Sequence, residues 1–177
     1  FPRRTGVAPL GDAVAQVLQR HDTETALVVL ESAVAGGLLS RSEAHGLLAD
    51  APHRNRRAVH FFSPLAQSGS ETRLRLFFQR RGVPVEPQAY IPGVGRVDLL
   101  VGRSWIIEAD SAAHHSAHRD VHVDRGRDLN ARELGYDSDR LSHEQIWGTW
   151  VRTQQWLSAR LSTRRHRRTP VPLPGRA

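Results

Sequence analysis

Residues 95–110 read GRVDLLVGRSWIIEAD, which is two apolar runs separated by the dipeptide Gly102-Arg103. Short runs rich in valine and isoleucine are typical of strands, and a brief glycine-containing connection between two of them is typical of a β-hairpin. We therefore predict paired antiparallel strands at 95–101 and 104–109. Asp98 interrupts the first of these strands, and Glu108 ends the apolar run of the second.

The two elements before this hairpin are predicted from caps and breaks. Ser70 is a candidate N-cap of a helix that ends before Gly82 and Pro84. Its apolar face carries Leu74, Phe77 and Phe78. Residues 85–91 then form a strand that contains Pro87.

The first third of the chain is predicted to be a helical hairpin. Apolar residues spaced by three and four indicate a helix at 23–35, which Gly36 and Gly37 end. Ser40, followed three positions later by Glu43, has the pattern of a capping box at the start of a second helix. Residues 51–67 are rich in proline, arginine and histidine, and we interpret them as a linker or an irregular basic surface.

Downstream of the hairpin, the pattern predicts a helix at 123–134, a weak strand at 136–141 and an amphipathic helix at 143–161. The apolar face of that last helix carries Ile146, Trp150, Leu157 and Leu161. The remainder, 162–177, contains the run RRHRR and three prolines, and we expect it to be a disordered basic tail.

These elements together predict an α/β fold, an α+β sandwich in which a central mixed sheet is flanked by helices and preceded by a small helical segment. The domain divisions that we expect are 1–67 for the helical hairpin and basic linker, 68–161 for the sheet-containing domain, and 162–177 for the tail. The length of 177 residues allows one ordinary domain with a helical annex.

Composition excludes several classes of site. The chain has no cysteine, so a disulfide framework, a thiolate metal site and a cysteine nucleophile are impossible. No apolar stretch is long enough to span a bilayer, and we expect a cytoplasmic protein that does not enter a membrane. Methionine is also absent, even at position 1, so we expect an excised or processed fragment.

The charge balance points to a polyanionic partner. The formal net charge is +7, and all 25 basic residues are arginine, which contacts phosphates through a planar fork. A genome rich in G and C would explain the choice of arginine over lysine equally well. It would not explain the net positive charge.

Acidic residues stand where a packed sheet would exclude them. Glu108 and Asp110 are two apart and therefore share a face, and Asp98 lies on the neighbouring strand of the predicted hairpin. A buried carboxylate is unfavourable unless a cation pairs with it. We predict that Asp98 and Glu108 converge on one hard cation and that Glu71, on the preceding helix, supplies a third oxygen. Pairing of each acid with an arginine is the alternative.

The order SGSETRLRLFFQRRG, GRVDLLV, WIIEADSAAHH and DRGRDLNARELGYDSDRL resembles a domain-of-unknown-function family related to very-short-patch-repair (Vsr-like) endonucleases. That family belongs to the restriction-endonuclease-like PD-(D/E)xK superfamily and is common in actinobacteria and in abortive-infection antitoxin-like proteins. The likeness covers roughly residues 68–147 and lies in ordered spacing. It implies a restriction-endonuclease-like core and a Mg²⁺-dependent deoxyribonuclease, with Mn²⁺ as an alternative metal.

The resemblance assigns roles residue by residue. Asp98 matches the family's strand aspartate, and Glu108 and Asp110 match its Glu-x-Asp. Glu71 matches the helix acid, and His114 or His115 matches the histidine after the strand. Three residues are implied on the helix that flanks the active site, and one on the next strand: Asp124, Arg125 and Asp128, and then Arg140.

One departure from the superfamily pattern is the motif lysine, because this chain contains none and Asp110 stands in its place. His114 or His115 is the substitute we name. In the expected mechanism the metal lies on Asp98 and Glu108, and His115 acts as general acid or base. Four arginines are candidates for holding the phosphate backbone: Arg96, Arg125, Arg127 and Arg140.

Three other interpretations compete with this one. His114, His118 and His122 would line one face of a helix and could bind Zn²⁺, although no acidic general base stands at metalloprotease spacing. The four tryptophans could stack on bases, although core packing accounts for Trp105 and Trp150. A catalytically inactive nuclease fold that acts as a DNA-binding or antitoxin-type module is the main alternative. DNA is the expected partner, and the protein is a monomer or a homodimer.

Overall fold

The computed structural model describes residues 8–110 and 118–174, with the side chains in these ranges except those of residue 57 and residues 118–125. The chain divides into two compact units, Phe1–Thr72 and Arg73–Ala177. The division falls inside a helix, a few residues after the predicted boundary at Gln67.

The described part of the first unit is helical. The predicted helix at 23–35 is confirmed, and so is the capping box in which Ser40 and Glu43 bond to each other's backbone amides. The predicted linker contains a short helix and a 3-10 turn. The elements are α1 (Leu10–Arg20), α2 (Thr23–Ala35), α3 (Arg41–Ala49), α4 (His53–Arg56) and the 3-10 turn Arg57–His60.

Asn55 joins three of these helices through its buried side chain. Its amide nitrogen donates to the carbonyl oxygens of Leu18, at 2.6 Å, and His21, at 2.9 Å. Its amide oxygen accepts from the Thr23 hydroxyl at 2.8 Å. A buried amide that satisfies its donors and its acceptor in this way fixes where α1 ends and α2 begins.

The second unit contains a four-stranded sheet in the order β1-β2-β3-β4, in which β1, β2 and β3 are antiparallel neighbours and β4 is parallel to β3. The predicted hairpin is confirmed. The elements are α5 (Gly69–Gln79, which crosses the unit boundary), β1 (Val85–Ile91), β2 (Gly95–Val101), β3 (Trp105–Asp110), α6 (His118–Glu133), β4 (Asp137–Ser142), a π-helical turn (Glu144–Gly148), α7 (Trp150–Ser162) and a 3-10 turn (Arg165–Arg167).

Two hydrophobic clusters cover the sheet. One joins the second-unit part of α5 to α7 across the strands and includes Phe78, Ile107 and Leu157. The other lies under α6 and includes Ile106 and Ala131. The predicted α/β class, a mixed sheet flanked by helices, is therefore confirmed. Within the described ranges, no helix has both the length and the apolarity that crossing a bilayer requires.

The predicted helix at 143–161 is divided. A π-helical turn ends at Gly148, and α7 begins at Trp150 after Thr149, whose φ of −116° is not helical. A Cβ at position 148 would overlap the Glu144 carboxylate, so a larger residue there would require that exposed side chain to move. The apolar face is confirmed, since Ile146 and Leu157 are fully buried and Trp150 and Leu161 pack against the same cluster.

The N-cap of α5 is Ser68 rather than the predicted Ser70. The Ser68 hydroxyl accepts from the backbone amide of Glu71 at 3.2 Å, and it donates to the Glu71 carboxylate at 2.9 Å. Ser70 lies inside the helix. Ser68 and Ser70 both precede the apolar face, and only the reciprocal bond with Glu71 distinguishes them.

The prediction that the tail is disordered is wrong as far as residue 174, because backbone hydrogen bonds anchor this segment. The His166 carbonyl accepts from the Arg103 amide at 2.7 Å, and the Leu173 amide donates to the Glu133 carbonyl at 2.7 Å. The His166 side chain is buried. The tail therefore covers the end of the sheet at which β3 and β4 begin. Charge and proline content alone did not reveal these backbone partners.

Candidate metal centre

The strand registers place four polar residues in one row across the sheet. Leu99 pairs with Ile107 across the β2–β3 hairpin, so Asp98 faces Glu108 one position further along. The parallel register pairs Glu108 with Arg140. The β1–β2 register puts Gln88 opposite Asp98. We call this set the polar row: Gln88, Asp98, Glu108 and Arg140.

Asp98 and Glu108, the acid pair, are held by each other's strands. The Asp98 amide donates to Glu108 Oε2 at 3.1 Å, and the Ala109 amide donates to Asp98 Oδ2 at 2.8 Å. Each carboxylate thus has one oxygen fixed by a backbone amide of the opposing strand. The two acids therefore lie side by side, and their convergence on one cation stays a prediction.

The second oxygen of each carboxylate faces a longer side-chain contact. The Gln88 side-chain amide donates to Asp98 Oδ1 at 3.4 Å, and Arg127 lies 3.4 Å from Glu108 Oε1. These distances are at the outer limit of hydrogen bonding. Asp98 Oδ1 and Glu108 Oε1 are consequently the pair of oxygens best placed to exchange these contacts for a bound cation.

Burial, and after it the neighbouring charge of Asp98, raises the pKa of Glu108 to about 7. The amide of Asp98 and the guanidinium of Arg127 act in the opposite direction. The Glu108 side chain is 18% exposed, which leaves little water to stabilise a second negative charge. In the absence of a cation, this carboxyl therefore holds a proton up to neutral pH.

Gln88 has a backbone conformation that its residue type rarely adopts. Its φ is 54°, in the left-handed region, although it lies inside β1. On the adjoining strand, Val97 and Leu99 are two residues apart but join different hydrophobic clusters. In a regular strand, residues two apart share a face. The alternation of β1 and β2 is therefore interrupted at Gln88 and Asp98, where strain of this kind is typical of functional sites.

Arg127, on α6, clamps the turn between β1 and β2 to Glu108. Its Nε donates to the Val94 carbonyl at 3.1 Å, and one terminal nitrogen reaches both the Arg96 carbonyl and the Glu108 carboxylate. The sequence predicted a phosphate contact for Arg127, and that role stays a prediction. The clamp could not be foreseen, because it requires the packing of α6 against the β1–β2 turn.

Asp110 and Arg140 lie beside the acid pair, because Asp110 follows Glu108 by two residues on β3 and Arg140 is opposite Glu108 on β4. Arg140 Nε is 3.6 Å from Asp110 Oδ1, and a terminal nitrogen is 3.8 Å from Asp128 Oδ1. Asp110 is 54% and Asp128 45% exposed, so these ion pairs are weak.

Glu71, the predicted third ligand, belongs to the first unit. Its carboxylate accepts from the Gln67 amide at 3.1 Å and from the Ser68 hydroxyl at 2.9 Å, so it caps its own helix. Over residues 8–110 and 118–174, no group of three acidic or histidine side chains is placed to hold one metal ion. The ligand role of Glu71 stays a prediction.

Several predicted site residues fall outside the description. His114 and His115 lie outside the described residues, as do the side chains of His118, His122, Asp124 and Arg125. Arg96 is exposed on β2, where its carbonyl accepts from Arg127. Gln88 is the member of the polar row that the sequence analysis missed. Its register opposite Asp98 was the available signal.

Comparison of the chain with protein-family models, characterised proteins and solved structures returned no match. Two carboxylates on adjacent strands, each with one oxygen fixed by an amide and one contacting a displaceable side chain, fit a hard divalent cation that prefers oxygen ligands.

Proposed function

We propose that this protein is a metal-dependent DNA endonuclease that hydrolyses phosphodiester bonds at the acid pair. The observation that carries the proposal is the meeting of Asp98 and Glu108 on adjacent strands, with the pKa of Glu108 raised to about 7. Two half-buried carboxylates whose negative charge is only partly offset by positive groups lower the stability of the fold. Acids with perturbed pKa values of this kind are typical of functional sites.

Asp98 and Glu108 are the proposed ligands of Mg²⁺ or Mn²⁺. Magnesium is commonly held by one or two carboxylates, with water and substrate phosphate completing its shell. An ion held by these two residues would supply Lewis-acid chemistry, which lowers the pKa of a water and offsets charge on a phosphate. The protein's own contribution is to fix Asp98 Oδ2 and Glu108 Oε2 by backbone amides, which leaves Asp98 Oδ1 and Glu108 Oε1 with the longer side-chain contacts.

DNA is the proposed substrate because of charge. The chain carries a net +7, entirely through arginine. Arg140, whose ion pairs with Asp110 and Asp128 are long and exposed, lies beside Glu108 in the sheet and is placed to hold a phosphate. His115, with His114 as the alternative, is proposed to move the proton near neutral pH.

The test is cleavage of supercoiled plasmid and of labelled single-stranded DNA with Mg²⁺, with Mn²⁺ and with chelator. The variants are Asp98→Asn and Glu108→Gln, which keep the size of each side chain. Glu86→Gln is the matched control, since Glu86 is an exposed acid on β1. Metal-dependent cleavage that both acid-pair variants abolish and the control retains supports the proposal. Cleavage that survives in both acid-pair variants refutes it.

The second candidate is a DNA-binding module on the same fold, and Arg127 is the observation that favours it. A guanidinium beside Glu108 Oε1 supplies part of the positive charge that a metal would otherwise supply. In that case the parent protein would show salt-sensitive DNA binding, no products with either metal, and unchanged affinity in Asp98→Asn. The same set of proteins therefore distinguishes the two functions.

A further inference from the structure

A groove in the second unit lies between β4 and the start of α7. Its volume is about 380 Å³, which is within the range of roughly 300–1,000 Å³ of pockets that bind small molecules. Six of its lining residues offer polar or aromatic groups to a ligand: Arg140, Gln145, Thr149, Arg152, Thr153 and Trp156.

The charge in this groove favours an anion. Its acidic lining residue, Asp139, is already neutralised, because one carboxylate oxygen accepts from Trp105 Nε1 at 2.8 Å and from Arg160 at 2.9 Å. Arg152 is exposed and pairs with no acidic side chain in the described part of the chain. Positive charge is therefore left over for a phosphate.

Trp156 offers a fixed aromatic surface in the same groove. Its ring meets the buried Trp105 edge-on, with centroids 6.2 Å apart, and 38% of the residue remains exposed. The contact with Trp105 and the Arg160 guanidinium, whose central carbon lies 6.0 Å from the Trp156 ring centroid, hold the ring in place while part of it stays exposed. An exposed aromatic ring next to an arginine is the combination with which proteins bind successive nucleotides of a single strand.

Arg140 belongs both to the lining of the groove and to the polar row. This residue lines the groove, and its guanidinium lies 3.6 Å from Asp110 and stands beside Glu108 in the β3–β4 register. The N-terminus of α7, where Thr149 and Arg152 lie, adds the partial positive charge of the helix dipole to the groove. Arg140, on the edge strand β4, therefore lies between the groove and the acid pair.

We propose that this groove binds one nucleotide of a single-stranded stretch of DNA, with Trp156 stacked on the base and Arg152 contacting the phosphate. This names the substrate class of the nuclease and rests on that proposed function for its biological role. The binding step itself needs neither metal nor cleavage.

The test measures anisotropy of a fluorescein-labelled oligothymidine in the presence of chelator, with the full chain and three variants. Trp156→Leu is expected to weaken binding about 5-fold or more, which is the loss of one stacked base. Arg152→Gln is expected to reduce the slope of log affinity against log salt by about 0.7, as for one lost phosphate contact on a single strand. Arg168→Gln, an exposed arginine of the tail, removes the same charge and is expected to change neither quantity.

The proposal is overturned if Arg152→Gln and a folded Trp156→Leu bind oligothymidine as tightly as the parent protein. It is also overturned if Arg168→Gln loses as much affinity as the groove variants. Should Trp156→Leu lose its circular dichroism, Arg152→Gln decides alone. Blunt duplex bound as tightly as oligothymidine, with the same dependence on Trp156, also overturns it. Weakened binding in the groove variants of a protein that cleaves nothing sustains the groove and refutes the nuclease. Metal-dependent cleavage by a protein whose groove variants still bind oligothymidine as tightly as the parent sustains the nuclease and refutes the groove.

Discussion

The Asp98 backbone amide donates to Glu108 Oε2 at 3.1 Å, while the Asp98 carboxylate raises the pKa of that same side chain. One residue therefore holds Glu108 in place and makes its ionisation unfavourable. The metal-free pair resists carrying two charges, and a divalent cation would relieve that resistance. Variants of these residues and of their contacts test this balance.

Glu108→Gln is expected to stabilise the metal-free protein above pH 7. The folded pKa of Glu108 is about 7, against an ordinary value of 4.5, so the folded state keeps a proton that the unfolded state releases. Stability therefore falls as pH rises from about 4.5 to 7, by at most about 3 kcal/mol. Urea denaturation in chelator should show equal stability of parent and variant at pH 5 and a more stable variant at pH 8. Parallel pH profiles would contradict the prediction.

Mn²⁺ is expected to raise the melting temperature of the parent protein at pH 8. Ligand that binds only the folded state stabilises it by mass action. The increase should shrink below pH 6, because the proton on Glu108 competes with the metal. Asp98→Asn should lose the response, and Glu86→Gln should keep it. A metal response in Asp98→Asn equal to the parent's would exclude the acid pair as the site.

Arg127→Gln is expected to extend the pH-dependent loss of stability to higher pH, while its onset near pH 4.5 stays the same. The guanidinium lowers the pKa of Glu108, so its removal lets the folded carboxyl keep its proton longer. The variant also loses the bonds to the Val94 and Arg96 carbonyls, at a cost of about 1–3 kcal/mol. Denaturation across pH measures both effects. Arg132→Gln, an exposed arginine at the end of α6, is the control and should move neither.

Gln88→Gly is expected to be more stable than Gln88→Ala by about 1 kcal/mol. Both changes remove the 3.4 Å contact with Asp98, but only glycine accepts a φ of 54° without steric conflict. The comparison of the two variants thus isolates backbone strain from the lost contact. Chemical denaturation at pH 5, where Glu108 is protonated in both, gives the difference. Equal stabilities would mean that this position carries no strain.

Gly102→Ala is expected to destabilise the protein by about 2 kcal/mol or more. Its φ is +64°, and an added Cβ would overlap the His166 carbonyl of the tail. Gly126→Ala is the matched control, since nothing lies within 4 Å of a Cβ there. That helical substitution should stabilise by about 0.5–1 kcal/mol. A tolerated Gly102→Ala would mean that the tail does not pack on this turn.

The elements that the sequence predicted correctly are those governed by local chemistry. The β2–β3 hairpin follows from two apolar runs around Gly102, and the capping box follows from the spacing of Ser40 and Glu43. The errors lie where distant residues decide. The anchored tail depends on backbone partners more than thirty residues away.

The candidate site shows the same division between local and distant causes. Asp98 and Glu108 could be paired in advance, because hairpin register follows from the position of the turn. The clamp by Arg127 and the left-handed Gln88 could not, because each depends on how elements pack around the acid pair. No sequence pattern marks Gln88 as exceptional, since glutamine is not a residue expected at positive φ.

The order in which a ribosome makes this chain bears on the tail. The strands that carry Asp98 and Glu108 emerge early, but the end of the sheet where β3 and β4 begin is covered by residues 165–173, which emerge later. Until then the Arg103 and Ser104 groups that bind the tail stay open to water. The second unit therefore completes its folding only near the end of its own synthesis.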